Sequence, residues 1–249
     1  MTAYPGNDGL LVIRQPERGY RFSIDSVLLA GFAAPHCRGH VLDLGTGCGV
    51  LLLLLSRLAP GMDSGTGVEI QPSLCAFAER NFRESGSDRR LRAVRGDYRR
   101  EAPGAAPGAF DLVVANPPYG RAGHGRRNPH PQREAARHEI HGSLQELIDA
   151  AARYLAPAGR FALILPHDRF PEVQNGARRA GMGIGEMRRV HAWKEAPPSR
   201  GLFLLARGAG ERPMELPPLS LHDGGGKYCP EVERICRLFR PPPVSGGHS

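Results

Sequence analysis

The chain is poor in cysteine, aromatics and lysine, and it has no long apolar run. Its five cysteines, Cys37, Cys48, Cys75, Cys229 and Cys236, are odd in number and form no C-x-x-C pair. That argues against a disulfide framework or a zinc knuckle, and reduced thiols are expected. No histidine stands at ligand spacing from Cys229 and Cys236, so no metal is expected. The longest wholly apolar run is Val50 to Leu55, far short of the ~20 residues that cross a bilayer. The first ten residues, MTAYPGNDGL, have neither a basic start nor an apolar core. No secretory signal is expected there, and the cytoplasm is the default location.

What is present is a basic, glycine-rich and proline-rich composition. The net charge is +8, and among 33 basic residues only Lys194 and Lys227 are lysine. A positive surface attracts polyanions through counterion release, which favours a nucleic-acid partner. Abundant arginine beside abundant Gly, Pro and Ala is also what a GC-rich coding sequence produces, so charge alone does not decide. At 249 residues the chain fits one α/β domain with short terminal additions.

The hydrophobic pattern predicts two short extended segments, Leu10–Arg14 and Tyr20–Phe22, then a helix with Val27, Leu28 and Phe32 on its apolar face. From residue 40 strands and helices alternate. Strands are expected at His40–Leu44, Thr66–Ile70, Leu91–Val94, Phe110–Ala115, Phe161–Leu165, Met187–Trp193 and Leu202–Ala206. The intervening helices include one opened by the capping box Ser143-Leu-Gln-Glu146. The expected organisation is an N-terminal hairpin and helix over 1–35, an α/β domain over 36–240 and a disordered tail over 241–249. The fold class is a Rossmann-like, mostly parallel sheet with helices on both faces.

In such sheets ligands lie beyond the carboxyl ends of the strands. The first strand runs into Asp43-Leu-Gly45-Thr46-Gly47-Cys-Gly49, where glycines let the backbone approach a ligand closely. Glu69 ends the second strand, where a carboxylate can accept both ribose hydroxyls. Asp97 follows the third and can accept from an adenine amino group. The loop is G-x-G-x-G, not G-x-G-x-x-G, so S-adenosylmethionine fits better than a dinucleotide.

The fourth strand ends in Asn116-Pro117-Pro118-Tyr119. The lone pair of an exocyclic amine is delocalised into its ring. Acceptors for both N–H groups, here the Asn116 carboxamide oxygen and the Pro117 carbonyl, draw the nitrogen toward tetrahedral geometry. Tyr119 offers a ring on which a flipped base can stack. Arg121, Arg126 and Arg127 follow directly and can grip phosphates; a solvated loop is the other reading. His124, His130 and His138 are too irregularly spaced for a metal site. Trp193 is expected in core or edge packing.

These residues resemble the class I methyltransferases with an N-P-P-Y motif. Within that group the chain is similar to the bacterial tRNA(Val) adenine N6-methyltransferase family. The resemblance rests on Gly19–Ala30, Val41–Gly49, Asn116–Tyr119 and Ala136–Glu139, and it extends over roughly residues 8–230. It implies a seven-stranded sheet with an antiparallel last strand at Leu202–Ala206. It also implies a cofactor held by Gly45, Gly47, Glu69 and Asp97, and an anticodon-loop adenine in tRNA as target. It sets Asp25 near the methionine end of the cofactor, where a plain helix cap is the alternative. A protein glutamine amide and a DNA adenine are the other acceptors that the motif allows.

Overall fold

The structure is a computed structural model, and it describes residues 10–17, 22–100, 104–118, 142–210 and 212–239. Helix α1 (Ile24–Ala33) comes first, capped by the Ser23 hydroxyl, which accepts from the Asp25 amide. Strand β1 (Gly39–Leu44), helix α2 (Val50–Leu58), β2 (Met62–Glu69), α3 (Pro72–Glu84), β3 (Leu91–Arg95) and β4 (Phe110–Ala115) follow in alternation. Then come α4 (Leu144–Tyr154), β5 (Leu155–Pro166), α5 (Phe170–Arg179), β6 (Gly183–His191), β7 (Pro198–Ala206), β8 (Met214–Ser220) and α6 (Pro230–Cys236).

One sheet orders these strands β3-β2-β1-β4-β5-β7-β6-β8. The first five are parallel, and β7 runs antiparallel to both β5 and β6, as expected for Leu202–Ala206. Strands β6 and β8 therefore run in the same sense as β1. The sheet has eight strands rather than the seven expected. The addition is β8, which pairs parallel to β6 at the sheet edge. Its Pro217 and Pro218 have no amide to give to a ladder, which hides the strand in the sequence. An edge tolerates them because only one side must pair.

Alternation along the buried strands divides the core in two. Val41, Leu112, Val114, Ala162 and Ile164 face α1, α2, α3 and α6. Leu42, Leu44, Val113, Ala115, Phe161, Leu163 and Leu165 face α4 and α5. Both faces are covered, which is why these strands read as continuous apolar runs. Helix α1 is not the one-faced helix expected: Val27, Leu28, Leu29, Ala30, Phe32 and Ala33 are all buried. It shares a core with α2 rather than lying on the surface. Of the expected N-terminal extended segments, Leu11 forms a single parallel bridge with Phe239, and most of Tyr20–Phe22 lies outside the described residues. The tail over 241–249 also lies outside them.

Candidate active site at the carboxyl edge of the sheet

The turn leaving β1 is built on left-handed glycines, with φ of 78° at Gly45, 57° at Gly47 and 81° at Gly49. L-residues with a Cβ avoid this region, and glycine enters it without penalty. The turn is fastened to β2: the Gly45 and Thr46 amides both donate to the Val68 carbonyl, at 2.9 and 3.1 Å. The Gly47 amide donates to Glu69 Oε2 at 2.9 Å, and the Gln71 amide donates to Glu69 Oε1 at 2.9 Å. Each carboxylate oxygen of Glu69 is thus fixed by one amide and keeps lone pairs for a further donor. Burial raises the Glu69 pKa above the usual carboxylate range, and the two amides oppose the rise.

Asp43 is fully buried under the turn and accepts from the Thr46 hydroxyl at 2.7 Å. Desolvation pushes its pKa up to about 7, against the lowering effect of that hydrogen bond. Asp97, past the end of β3, has the opposite environment. Arg99 lays its guanidinium on it, Nε to Oδ1 at 2.9 Å and Nη2 to Oδ2 at 2.7 Å, and adds its own amide to Oδ1 at 3.0 Å. The Arg99 fork holds Asp97 below the usual carboxylate range.

Asn116 leaves β4 on this same edge, followed by Pro117 and Pro118. Its Nδ2 donates to the hydroxyl of buried Ser26 on α1, at 3.1 Å. One residue earlier on α1, buried Asp25 accepts from Arg200 Nε at 3.3 Å. Asp25 is therefore inside the helix that borders the site, and the cap of that helix is Ser23. The edge thus brings together Gly45, Gly47, Gly49, Glu69, Asp97, Asn116 and the two prolines. Tyr119, Arg121, Arg126, Arg127 and the three loop histidines lie outside the described residues.

Sequence reasoning missed two supporting residues. Ser26 touches Asn116 from 90 positions away. Asn81 on α3 is fully buried and donates from Nδ2 to the Cys48 carbonyl at 2.8 Å and the Arg14 carbonyl at 2.9 Å, and its Oδ1 accepts from the Arg14 amide at 2.8 Å. It ties the far end of the glycine turn to the N-terminal segment. An asparagine among apolar residues of an amphipathic helix was the only available signal. Among the described residues no cluster of three His, Cys, Asp or Glu could hold a metal. None of their helices is long and apolar enough to cross a membrane.

A family model described as the methyltransferase small domain matches residues 23–172. A protein of Tolumonas auensis named tRNA1(Val) (adenine(37)-N6)-methyltransferase is 30% identical over 228 residues, 91% of this chain and 92% of its own length. A protein of the same name from Porphyromonas gingivalis is 32% identical over 88% of each chain. Among solved structures, a predicted O-methyltransferase from Agrobacterium tumefaciens superposes with a TM-score of 0.69 at 20% identity, over 86% of this chain and 96% of that one. A geranyl diphosphate C-methyltransferase from Streptomyces coelicolor gives 0.53 at 14% identity, over 72% and 78%. These two titles name transfer to oxygen and to carbon, so the structural likeness speaks for the fold and not for the acceptor. The sheet, the glycine turn and the matched family model agree, and the chain belongs to the methyltransferase small domain family, alongside relatives named tRNA1(Val) (adenine(37)-N6)-methyltransferase.

Proposed function

We propose that this chain uses S-adenosylmethionine to methylate N6 of an adenine in the anticodon loop of a tRNA, in the cytoplasm. The observation that carries the reading is the Asn116–Ser26 hydrogen bond at the end of β4, on the edge that also holds the glycine turn. With Nδ2 donated to Ser26, the opposite end of the carboxamide, Oδ1, is the acceptor side.

The cofactor fits the residues on this edge. A Cβ built on Gly45 would meet nothing within 4 Å, so the backbone there borders open space. Glu69 is held by amides as a double acceptor suited to a ribose diol. Asp97 is held ionised, suited to an adenine amine. Asp43 and Thr46 brace the turn from beneath. S-adenosylmethionine, when bound, supplies an electrophilic methyl group on a sulfonium.

Asn116 Oδ1 and the Pro117 carbonyl accept the two N–H bonds of the target amine and turn its lone pair out of the ring plane. Pro118 fixes the backbone direction of the motif. In the same reading Tyr119 stacks the flipped base, and Arg121, Arg126 and Arg127 hold flanking phosphates. No strong base is required, since the methylated amine is acidic enough to release its proton to water. The names of the relatives support tRNA as the acceptor.

The test offers labelled S-adenosylmethionine with unmodified tRNA, with DNA and with release-factor protein. Label recovered as N6-methyladenine from tRNA is the expected result. Label in DNA alone or in protein alone would overturn the reading.

A further inference from the structure

Beyond the N-P-P-Y edge, the chain carries an exposed aromatic cluster that the methyl-transfer site does not use. Trp193, the only tryptophan, is 47% exposed, and Tyr228 is 41% exposed. Trp193 is therefore not in the core, one of the two placements expected of it, and packs on His222 past the edge strand β8. His222 lies between them, its ring 4.8 Å from Trp193 and 5.1 Å from Tyr228, at tilts of 32° and 38°. Three rings are thus in contact, and two of them are open to solvent.

Strand polarity puts this cluster on the same edge as the methyl-transfer motif. Trp193 stands two residues past the end of β6, and His222 two residues past the end of β8. Both strands run in the sense of β1 and β4, so their carboxyl ends share that edge. In the sheet order β6 is three places from β4 and β8 is four, about 14 to 19 Å at ~4.8 Å per strand. A few nucleotides of RNA cover that span. Between the two lies Arg200, paired in register with Val190 of β6 and bonded to Asp25 beside Ser26.

The turn from Asp223 to Tyr228 has hydrogen bonds of its own: the Asp223 amide to the Lys227 carbonyl at 2.8 Å, and the Gly225 and Lys227 amides to Asp223 Oδ1 at 2.9 and 3.0 Å. The chain's only two lysines, Lys194 and Lys227, each adjoin one of the exposed rings in sequence. Glu195 and Asp223 balance the two lysines, so these loops carry no net charge. Open aromatic faces suit the stacking of unpaired bases. The matched family model ends at residue 172, before all three rings.

We propose that Trp193, His222 and Tyr228 form a stacking platform for unpaired bases of the RNA acceptor, a few nucleotides from the base being methylated. This rests on the RNA reading of the acceptor given above. The platform anchors the flanking loop, so it governs acceptor binding and not the chemical step.

The single tryptophan makes the test direct. Trp193 emission of the full chain is followed during titration with an unmodified tRNA transcript, and separately with release-factor protein. Steady-state methylation is measured for Trp193→Leu, Tyr228→Leu and Trp193→Phe. RNA is expected to quench the emission. Each leucine variant should raise KM for tRNA about tenfold or more, with kcat and cofactor affinity within about twofold of the unsubstituted chain, and Trp193→Phe should restore KM. Emission unchanged by RNA, or quenched only by protein, overturns the platform whether or not the variants fold. So does an unchanged KM in a Trp193→Leu variant that melts normally. If RNA quenches emission but receives no methyl group, the acceptor reading falls and takes with it the platform's role beside a methylated base, while Trp193 is shown to contact RNA.

Discussion

Asn116 at the end of β4 and Ser26 on α1 are joined by a hydrogen bond of 3.1 Å, the amide nitrogen donating to the hydroxyl. An asparagine side chain can present either end, and the two ends differ only in hydrogen bonding. Here the nitrogen end is turned to Ser26 on α1, and the opposite end is Oδ1. Ser26→Ala should lower kcat about tenfold, the worth of one such bond. KM for S-adenosylmethionine should not move, and Ser26→Thr should recover much of the rate. An equal loss from Ser26→Thr and Ser26→Ala would show that the hydroxyl is not what matters.

Two glycines of the same turn should separate stability from cofactor binding. A Cβ on Gly49 would meet Phe82 Cε1 at 2.6 Å and Ala78 Cβ at 3.2 Å. Gly49→Ala should cost about 1–2 kcal/mol in backbone strain and about 1–3 kcal/mol more for displacing the ring. A Cβ on Gly45 meets nothing, so Gly45→Ala should carry the strain alone while weakening S-adenosylmethionine binding. Thermal melts with and without cofactor distinguish the two.

Asp43 makes stability fall with rising pH. Its folded pKa of about 7 lies above the unfolded value of 3.8, so the folded chain binds the proton more tightly. Its contribution is full below about pH 4, declines as pH rises to about 7 and is lost above. Asp43→Asn keeps an acceptor for Thr46 without the charge. It should melt higher than the unsubstituted chain at pH 8 and show a flatter profile between pH 4 and 7. A profile identical to that of the unsubstituted chain would mean that Asp43 is ionised throughout.

Cofactor affinity should also respond to pH, through a different carboxylate. Asp97 stays ionised under the Arg99 fork, while burial raises Glu69. On acidification Glu69 protonates first and one acceptor for the ribose diol is lost. Affinity for S-adenosylmethionine should therefore fall as pH drops, beginning above the ordinary carboxylate range. Glu69→Gln should be weak and pH-independent over that interval. Calorimetric titration at several pH values checks both.

Much of the sheet was legible because a parallel strand buried on both faces is an unbroken apolar run; Phe110–Ala115 emerged with its expected bounds. The glycine turn and the Asn116 motif were legible because their residue types admit few roles. What escaped depends on distant partners. β8 is hidden by Pro217 and Pro218, and only its neighbour β6 makes it a strand. β5 begins at Leu155 rather than at the expected Phe161, because Pro157 and Gly159 hide its first half. Ser26 and Asp25 lie on a helix whose sequence gives no sign of Asn116 or Arg200. Trp193 reads by type as a core or edge residue, and only the fold puts it at the exposed edge.

The central claim is that Asn116 acts on the acceptor amine and not on the cofactor. Its most direct test is Asn116→Ala, with S-adenosylmethionine affinity and tRNA methylation measured on the same preparation. Cofactor affinity should be unchanged, while kcat falls about 10²- to 10³-fold, as for loss of a transition-state hydrogen-bonding group. Loss of both in equal measure, or turnover that survives, would contradict the account.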